Sequence, residues 1–542
     1  MPHRLTVRPG RALLLAVAAL LVVALVPGQA AAGASSTGCE NRTNNTYDKL
    51  LGCVTLDGVR EHQAALQEIA ESNEDPYYPG TRAAGTEGYD ESAEYVAGLL
   101  EDAGYDVTLD PVPVTFNFPA VLRQLTPVAA TYETGPFTGS GNGTVQGRVI
   151  PVDINLAPPR ATSSGCEASD FAGLDFTGPA DIALVQRGTC NFGNKALNAD
   201  NAGAEAVIIF NQGNTPDREG LIVANASTLN DGTTVTHSIP VVGASFAQGV
   251  ALSQAGSTAF VQVLPAETRQ DFNVLAEKKG VNDDNVVMAG AHLDSVIQGP
   301  GIQDNGSGSA ALLETALMIA KLKPQNTLRF GWWAAEEQGL VGSRDYVTGL
   351  SQAERDRIAL YMNYDIIGSP NYFFGVYDAD ESTFPAPAGV TIPPGSEAIE
   401  DVYESYYTLV GEPYDDSEFS GRSDYQAFIQ NGIPAAGLFT GAEVRKTAAQ
   451  QAIWGGTTDA QFDPCYHLAC DDYDNIDLHA LEVNSDLVAF AQLTFAYSTE
   501  AVNGVRGKRV PGSSPLPAPA GPEGTFAGPL GGEGPHDHDR VD

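Results

Sequence analysis

The order of apolar and polar positions divides the chain into stretches of different character. The segment "DGVREHQAALQEIA", beginning at Asp57, repeats its apolar residues at helical spacing. In "GTRAAGTEGYDESAEYVAGLLEDAGYDVTLDPV" the pattern predicts a loop, a helix and a strand. Tyr95, Val96, Leu99 and Leu100 share one face of that helix, and Gly104 ends it. Near residue 125 the character changes. Residues 128–265 become rich in Val, Ile, Gly, Thr and Asn, and break into short runs. "RVIPVDI", "ADIALVQRG", "AEAVIIFNQ" and "HSIPVVGAS" predict strands, with a helix from "NFGNKALNADNAGA" between two of them. From 270 to 500 the signals alternate again. "NVVMAGA", "NTLRFGWWAA" and "IALYMNYDIIG" predict strands; "SAALLETALMIAKL" and "GLVGSRDYV" predict helices. Strand–helix alternation of this kind predicts an α/β layer fold. After Thr499 Pro and Gly take over, which predicts a disordered tail over 501–542.

The N-terminus has its own pattern. Arg4, Arg8 and Arg11 precede an apolar run over 12–26, and small residues follow at 30–32. This predicts a signal peptide over 1–33, since the run is shorter than the roughly 20 residues of a membrane span. The remaining boundaries are expected at 34–127, 128–267 (a small β-rich insertion), 268–500 and the tail. A formal charge of −39 argues against nucleic acid and anionic membranes as partners. Six Cys fit an exported chain and fall as neighbours, so Cys39–Cys53, Cys166–Cys190 and Cys465–Cys470 are the economical pairing, although spacing leaves other connectivities open.

Chemistry enters where three predicted strands end. "VVMAGAHLD" delivers His292, "LRFGWWAAEE" delivers Glu336 and Glu337, and "IALYMNYD" delivers Asp365. In open α/β sheets, sites form where the carboxyl ends of strands meet. Any one of these residues alone reads as structural; the coincidence of three ends points to a site. Asp304 in "GIQDNGSGSAA" suits a helix cap, but the glycines also let the backbone bend back toward His292, and a carboxylate can bridge two cations. Asp294 could accept the second imidazole N–H and fix the tautomer. Of the adjacent pair Glu336 and Glu337, one could bind metal while the other carries protons, as metal-assisted hydrolysis requires. Tyr466 and His467 lie in "DPCYHLACDD", a loop that a disulfide would hold rigid. His237 in the 128–265 region and His536 and His538 in the tail stand apart from this set.

Together "AGAHLDSV", "GIQDNGSGSAALLETA", "LRFGWWAAEEQGLVGS", "NYDIIGSPN", "GRSDY", "GLFTGAE" and "CYHLACD" resemble the secreted double-zinc aminopeptidases of the Streptomyces type. The resemblance covers about 55–125 and 268–500. The pattern over 128–265 separately resembles a protease-associated domain, inserted in the peptidase. The resemblance implies a three-layer zinc-peptidase fold around a central mixed β-sheet. It implies that His292 and Asp365 hold one zinc, Glu337 and His467 the other, and that Asp304 bridges them. Glu336 is then the general base and Tyr466 the donor to the oxyanion. Glu336, Asp365 and the Arg422 backbone would face the substrate amine, while Ile366 and Phe439 match walls of an apolar pocket suited to large N-terminal residues such as Leu. Some members bind calcium through an acidic residue in the first loop. Here that position falls near Cys53 without an Asp, although Glu482 and Asp486 stand where later acids are expected. The implied substrates are peptide and protein N-termini, and the implied assembly is a monomer. Three alternatives remain at this point: a single-zinc glutaminyl cyclase-like acyltransferase, a receptor-like binding protein without activity, and a carboxypeptidase of related build.

Overall fold

The structure, a computed structural model, describes residues 38–526. The expected signal peptide, with the end of the tail from 527 onward, lies outside the described residues. Fifteen strands are described: β1 (Asp106–Phe116), β2 (Val121–Thr126), β3 (Ala130–Tyr132), β4 (Gly143–Pro151), β5 (Asp181–Gln186), β6 (Ala206–Phe210), β7 (Val241–Ala244), β8 (Thr258–Val263), β9 (Glu267–Lys278), β10 (Asn282–His292), β11 (Asn326–Trp333), β12 (Ile358–Tyr364), β13 (Gly375–Tyr377), β14 (Asp415–Ser417) and β15 (Ala435–Phe439). They form two sheets. The larger has eight strands in the order β1-β9-β11-β10-β12-β15-β13-β14, and the smaller has seven in the order β3-β2-β8-β4-β5-β6-β7.

The larger sheet is mixed. Strands β11, β10, β12 and β15 run parallel at its centre, and antiparallel neighbours flank them. The central strands are buried on both faces, which is why they read as continuous apolar runs instead of alternating ones. Alternate residues of β10 enter different cores. Val287, Ala289 and Ala291 pack under the helices Leu56–Ser72, Gly306–Ile319 and Leu478–Tyr497. Met288 packs with Trp333, Tyr361 and Phe428 on the opposite face, beneath the helices Val341–Gly349 and Tyr425–Gln430. The result is three layers, helices on both sides of one sheet.

The smaller sheet hangs from one edge of the larger. Strands β1 and β9 pair antiparallel up to Phe116↔Glu267, so the chain leaves and re-enters the large sheet at adjacent positions. The small sheet begins earlier than the expected boundary at 128. Strand β2, Val121–Thr126, pairs with β8 and belongs to the second unit. Its polar–apolar alternation resembles β1, and only its pairing partner separates the two.

The tail also differs from expectation. Residues 504–526 run along the larger unit instead of standing free. Gly521 N donates to the Tyr414 hydroxyl at 2.8 Å, Gly524 N and Thr525 N to the Asp415 carboxylate at 3.0 and 2.9 Å, and the Phe526 ring lies 5.1 Å from that of Phe373. Pro and Gly removed the helix and strand signals there, but backbone donors and a single ring suffice to dock an extended segment. All three neighbouring Cys pairs are disulfide-bonded.

Candidate metal centre

Strands β11, β10 and β12 are adjacent and parallel, so their carboxyl ends open on one edge. His292 ends β10 opposite Trp333; Glu336 and Glu337 follow β11, and Asp365 follows β12. The chain turns sharply at each end. Ala335, Ile366 and His467 adopt positive φ of 53°, 59° and 57°. Non-glycine residues accept this left-handed region at a cost of about 1–3 kcal/mol, and such strain gathers at functional sites.

Asp304 is the hub. Its Oδ1 lies 3.1 Å from His292 Nε2, and its Oδ2 lies 3.3 Å from His467 Nε2. Asp365 Oδ1 lies 3.3 Å from the same His292 nitrogen, and Glu337 Oε2 lies 3.2 Å from the same His467 nitrogen. Two triads thus share one carboxylate: His292, Asp304 and Asp365, and Asp304, Glu337 and His467. The ligand atoms of each triad fall within 4.8 Å of one another. Asp365 Oδ1 and Glu337 Oε1 are buried without a hydrogen-bond partner. Buried carboxylate oxygens are costly when unpaired. Their orphaned state, beside two imidazoles, fits cations held between N and O donors, the donor set that zinc takes.

Electrostatics agree with this. Burial works to raise the Asp304 pKa, but hydrogen bonds from His292 and His467 win and hold it below the ordinary carboxylate range. Burial would lower the His467 pKa, yet Glu337 and Asp304 push it up to about 11. Glu336, 6 % exposed, is shifted in the opposite sense to Asp304: burial raises its pKa well above the usual value. A carboxyl shifted upward holds a proton more readily than a free one, as a group that takes and returns protons must.

The helix that follows Asp304 is capped by its neighbour. Asn305 Oδ1 accepts from Gly308 N at 3.0 Å, which releases Asp304 from the capping role. Asp294 faces the Nδ1 edge of His292. The His292 Nδ1 edge lies 3.1 Å from the Asp294 backbone oxygen and 3.5 Å from its carboxylate. That carboxylate also accepts from the amides of Glu336 and Glu337 at 3.0 and 3.3 Å, tying the ends of β10 and β11 together.

Other supports were not singled out from the sequence. Arg82 is fully buried, and its guanidinium donates to the carbonyls of Leu293, Pro300 and Gly301, bracing the loop between His292 and Asp304. A basic residue among small ones in "GTRAAGTEG" was the available signal. Asp365 Oδ2 accepts from Ser423 Oγ at 2.6 Å, which in turn accepts from Asn363 Nδ2 at 2.8 Å. Tyr361 and Trp333 extend this chain through Asn363 Oδ1. Tyr361 and Asn363 on β12 and Asp365 just past its end recur at every second residue, so a period of two was the clue.

The site opens into a cavity of about 810 Å³. Asp304, Glu336, Glu337, Asp365, Tyr466 and His467 line one end, and Arg422, Ile366 and Phe439 lie along it. Tyr377, Phe384 and Phe419 add an aromatic wall that sequence reasoning missed, because it comes from the end of the three-residue strand β13 and from loops of no regular period. Tyr466 stacks on His467 with ring centroids 3.8 Å apart, and its hydroxyl receives Arg422 Nη2 at 3.3 Å. No residue of the smaller sheet lines this cavity.

Residues 273–492 match the model of peptidase family M28, and residues 145–252 match the PA domain. An aminopeptidase of Pseudomonas aeruginosa is 45% identical over 462 residues, 83% of each chain. A probable lipoprotein aminopeptidase, LpqL, of Mycobacterium tuberculosis is 39% identical over 83% of this chain and 87% of its own. Among solved structures, BSAP, a zinc aminopeptidase from Bacillus subtilis, is 25% identical with a TM-score of 0.54, covering 81% of this chain and 94% of its own. With the family pattern over both strand-end triads and a relative of this identity along most of its length, the chain belongs to peptidase family M28 and carries a PA domain.

Proposed function

We propose that the protein is an exported, zinc-dependent aminopeptidase that removes large apolar residues from the N-termini of peptides and proteins. The observation that carries this reading is the shared carboxylate of Asp304, set between two imidazole–carboxylate pairs with orphaned oxygens. His292, Asp365 and Asp304 would hold one zinc, and Glu337, His467 and Asp304 the other. When bound, such a pair polarises the scissile carbonyl and lowers the pKa of the attacking water. Three disulfides support export. Among the described residues no helix is long and apolar enough to cross a membrane.

The chain's own residues divide the remaining work. Glu336 takes the proton of the attacking water at its carboxylate and returns it to the leaving amine. The Tyr466 hydroxyl donates to the oxygen that gains charge. Glu336 and Asp365, with the Arg422 backbone, receive the free amine; a blocked N-terminus would leave buried acids unpaired. Ile366, Phe439 and the aromatic wall take the first side chain, and their apolar character favours Leu and larger residues.

The test is a profile of amino acids released from mixed peptides, with Leu-p-nitroanilide as the reporter, before and after chelation. The expected result is release of Leu and other large apolar residues, abolished by chelator and restored by zinc. Cyclisation of N-terminal Gln without hydrolysis of the Leu substrate would overturn it in favour of an acyltransferase. Absence of either activity in a zinc-free folded chain would favour a binding protein.

A further inference from the structure

The two halves of the metal centre come from distant parts of the chain, and one residue ties their backbones together. Asp471 directly follows Cys470, the second half of the disulfide that closes the loop carrying Tyr466 and His467. It is 1 % exposed. Its Oδ1 accepts from Gln303 N at 2.8 Å and its Oδ2 from Asp304 N at 3.0 Å. Its own backbone oxygen accepts from Ile302 N at 3.1 Å. Three consecutive amides of the Asp304 turn are therefore held by one residue of the His467 loop. Asp471 is itself held from behind. Its amide donates to Leu468 O at 3.0 Å, closing the turn inside the disulfide. Asn475 Nδ2 reaches Asp471 Oδ1 at 3.1 Å and Asp463 Oδ1 at 3.0 Å, and Asp463 Oδ1 receives Cys465 N at 2.9 Å.

We propose that Asp471 is a positioning residue for the metal centre: it registers the backbone of Asp304 against the disulfide loop, so that the carboxylate shared by both triads meets His292 and His467 at once. The inference rests on the reading of those triads as metal ligands. The physical argument is one of lever and anchor. Asp304 must present one oxygen to each half of the site, and the two imidazoles lie on elements joined through no common strand. A carboxylate accepting two backbone N–H groups fixes both the position and the rotation of that peptide, which a single bond would not. Charged acceptors make the stronger hydrogen bonds. Partners one step removed from a metal ligand typically set about 10–100-fold in metal affinity.

The experiment compares the full chain with Asp471→Asn and Asp471→Ala. Asp471→Asn keeps the shape and one acceptor; Asp471→Ala removes both. Zinc affinity is measured by chelator competition, the absorption spectrum is taken with cobalt in place of zinc, and melting is followed for the metal-stripped chain. Zinc binding should weaken about tenfold in Asp471→Asn and about 100-fold in Asp471→Ala. The cobalt bands should move, and the metal-stripped chains should melt close to wild type. Unchanged zinc affinity and an unchanged cobalt spectrum would overturn the proposal. So would a fall in metal-stripped melting that accounts for the whole effect, since Asp471 would then be a brace of the fold alone. If Asp471→Ala does not fold, Asp471→Asn and Asn475→Ala decide by the same measurements. A wild-type chain that binds no zinc would sink the metal reading itself, and the inference with it, before any variant is compared.

Discussion

The two sheets end their parallel strands in the same way and fill those ends with different chemistry. In the smaller sheet, β4, β5 and β6 run parallel and close on Gln186, Asn211 and Gln212. These are amides, and the backbone satisfies them, with Arg218 donating to Gln212 Oε1 at 3.1 Å and Arg187 to Asn211 Oδ1 at 3.4 Å. Gln186 Nε2 donates to Asn155 O and Gln212 O at 3.2 Å each, Gln186 Oε1 receives Asn155 N at 2.8 Å, and Asn211 Oδ1 receives Gln212 N at 2.9 Å. In the larger sheet, β10, β11 and β12 close on His292, Glu336, Glu337 and Asp365, where buried oxygens stay unpaired. Strand topology therefore brings parallel strand ends together in both units. What sets the crevice of the larger sheet apart is an excess of buried carboxylates over the two imidazoles beside them. A neutral amide can be both donor and acceptor and so closes its own network. A carboxylate only accepts, and a cluster of them needs cations or protons.

The comparison is broken most severely at its charged end. Asp304→Asn should lose zinc from both positions and abolish hydrolysis, read by metal analysis and by Leu-p-nitroanilide turnover. Glu336→Gln should retain its zinc while turnover falls about 10²–10⁴-fold, the range for a lost general base. Near-normal turnover in that variant would end the assignment of Glu336. A smaller loss is expected at the oxyanion side: Tyr466→Phe should lower kcat by about 10²–10³-fold with little change in KM, as for removal of one positioned donor.

At the neutral end the order of effects reverses. Gln186→Leu should leave kcat/KM unchanged, because no residue of that sheet lines the cavity. It should destabilise the chain by about 1–3 kcal/mol through the stranded Asn155 amide, measurable by denaturant unfolding. Loss of peptidase activity at native stability would show that the smaller unit takes part in the chemistry.

The smallest effect tests what carboxylates do when clustered without histidine. Glu400 and Glu404, on the helix Ser396–Val410, face Asp378, Asp380 and Asp416. Burial first, then these neighbours, raise Glu400 to about 9 and Glu404 to about 8. Both values lie above the ordinary 4.5, so the stability linked to them is complete at pH below that value and is lost as pH rises through 8 and 9. The melting temperature should fall by a few degrees between pH 6 and 9.5. In Glu404→Gln that fall should shrink; an identical slope would remove these acids from the account.

Much of this molecule is written locally. Burial period marked the central strands, since a parallel strand covered on both faces must be apolar throughout. Each such strand carries a candidate site residue just at or past its own end, so His292, Glu336, Glu337 and Asp365 were legible as a set. Cysteines close in sequence paired as neighbours because short loops close easily. Periodicity reports that a segment is buried, but not against what. The first strand of the smaller sheet looked like the edge of the larger one, and the segment after Thr499 looked free because extended Pro- and Gly-rich chain carries no period even when docked. The same limit governs the site. Only packing brings the His467 loop to Asp304, sets the Asp294 carboxylate against two amides as well as the imidazole, buries Arg82 beneath the glycine loop and sets Asp471 between the two halves. Those contacts join residues up to hundreds of positions apart, and their partners are chosen by the register of layers, a property that no short window of sequence contains.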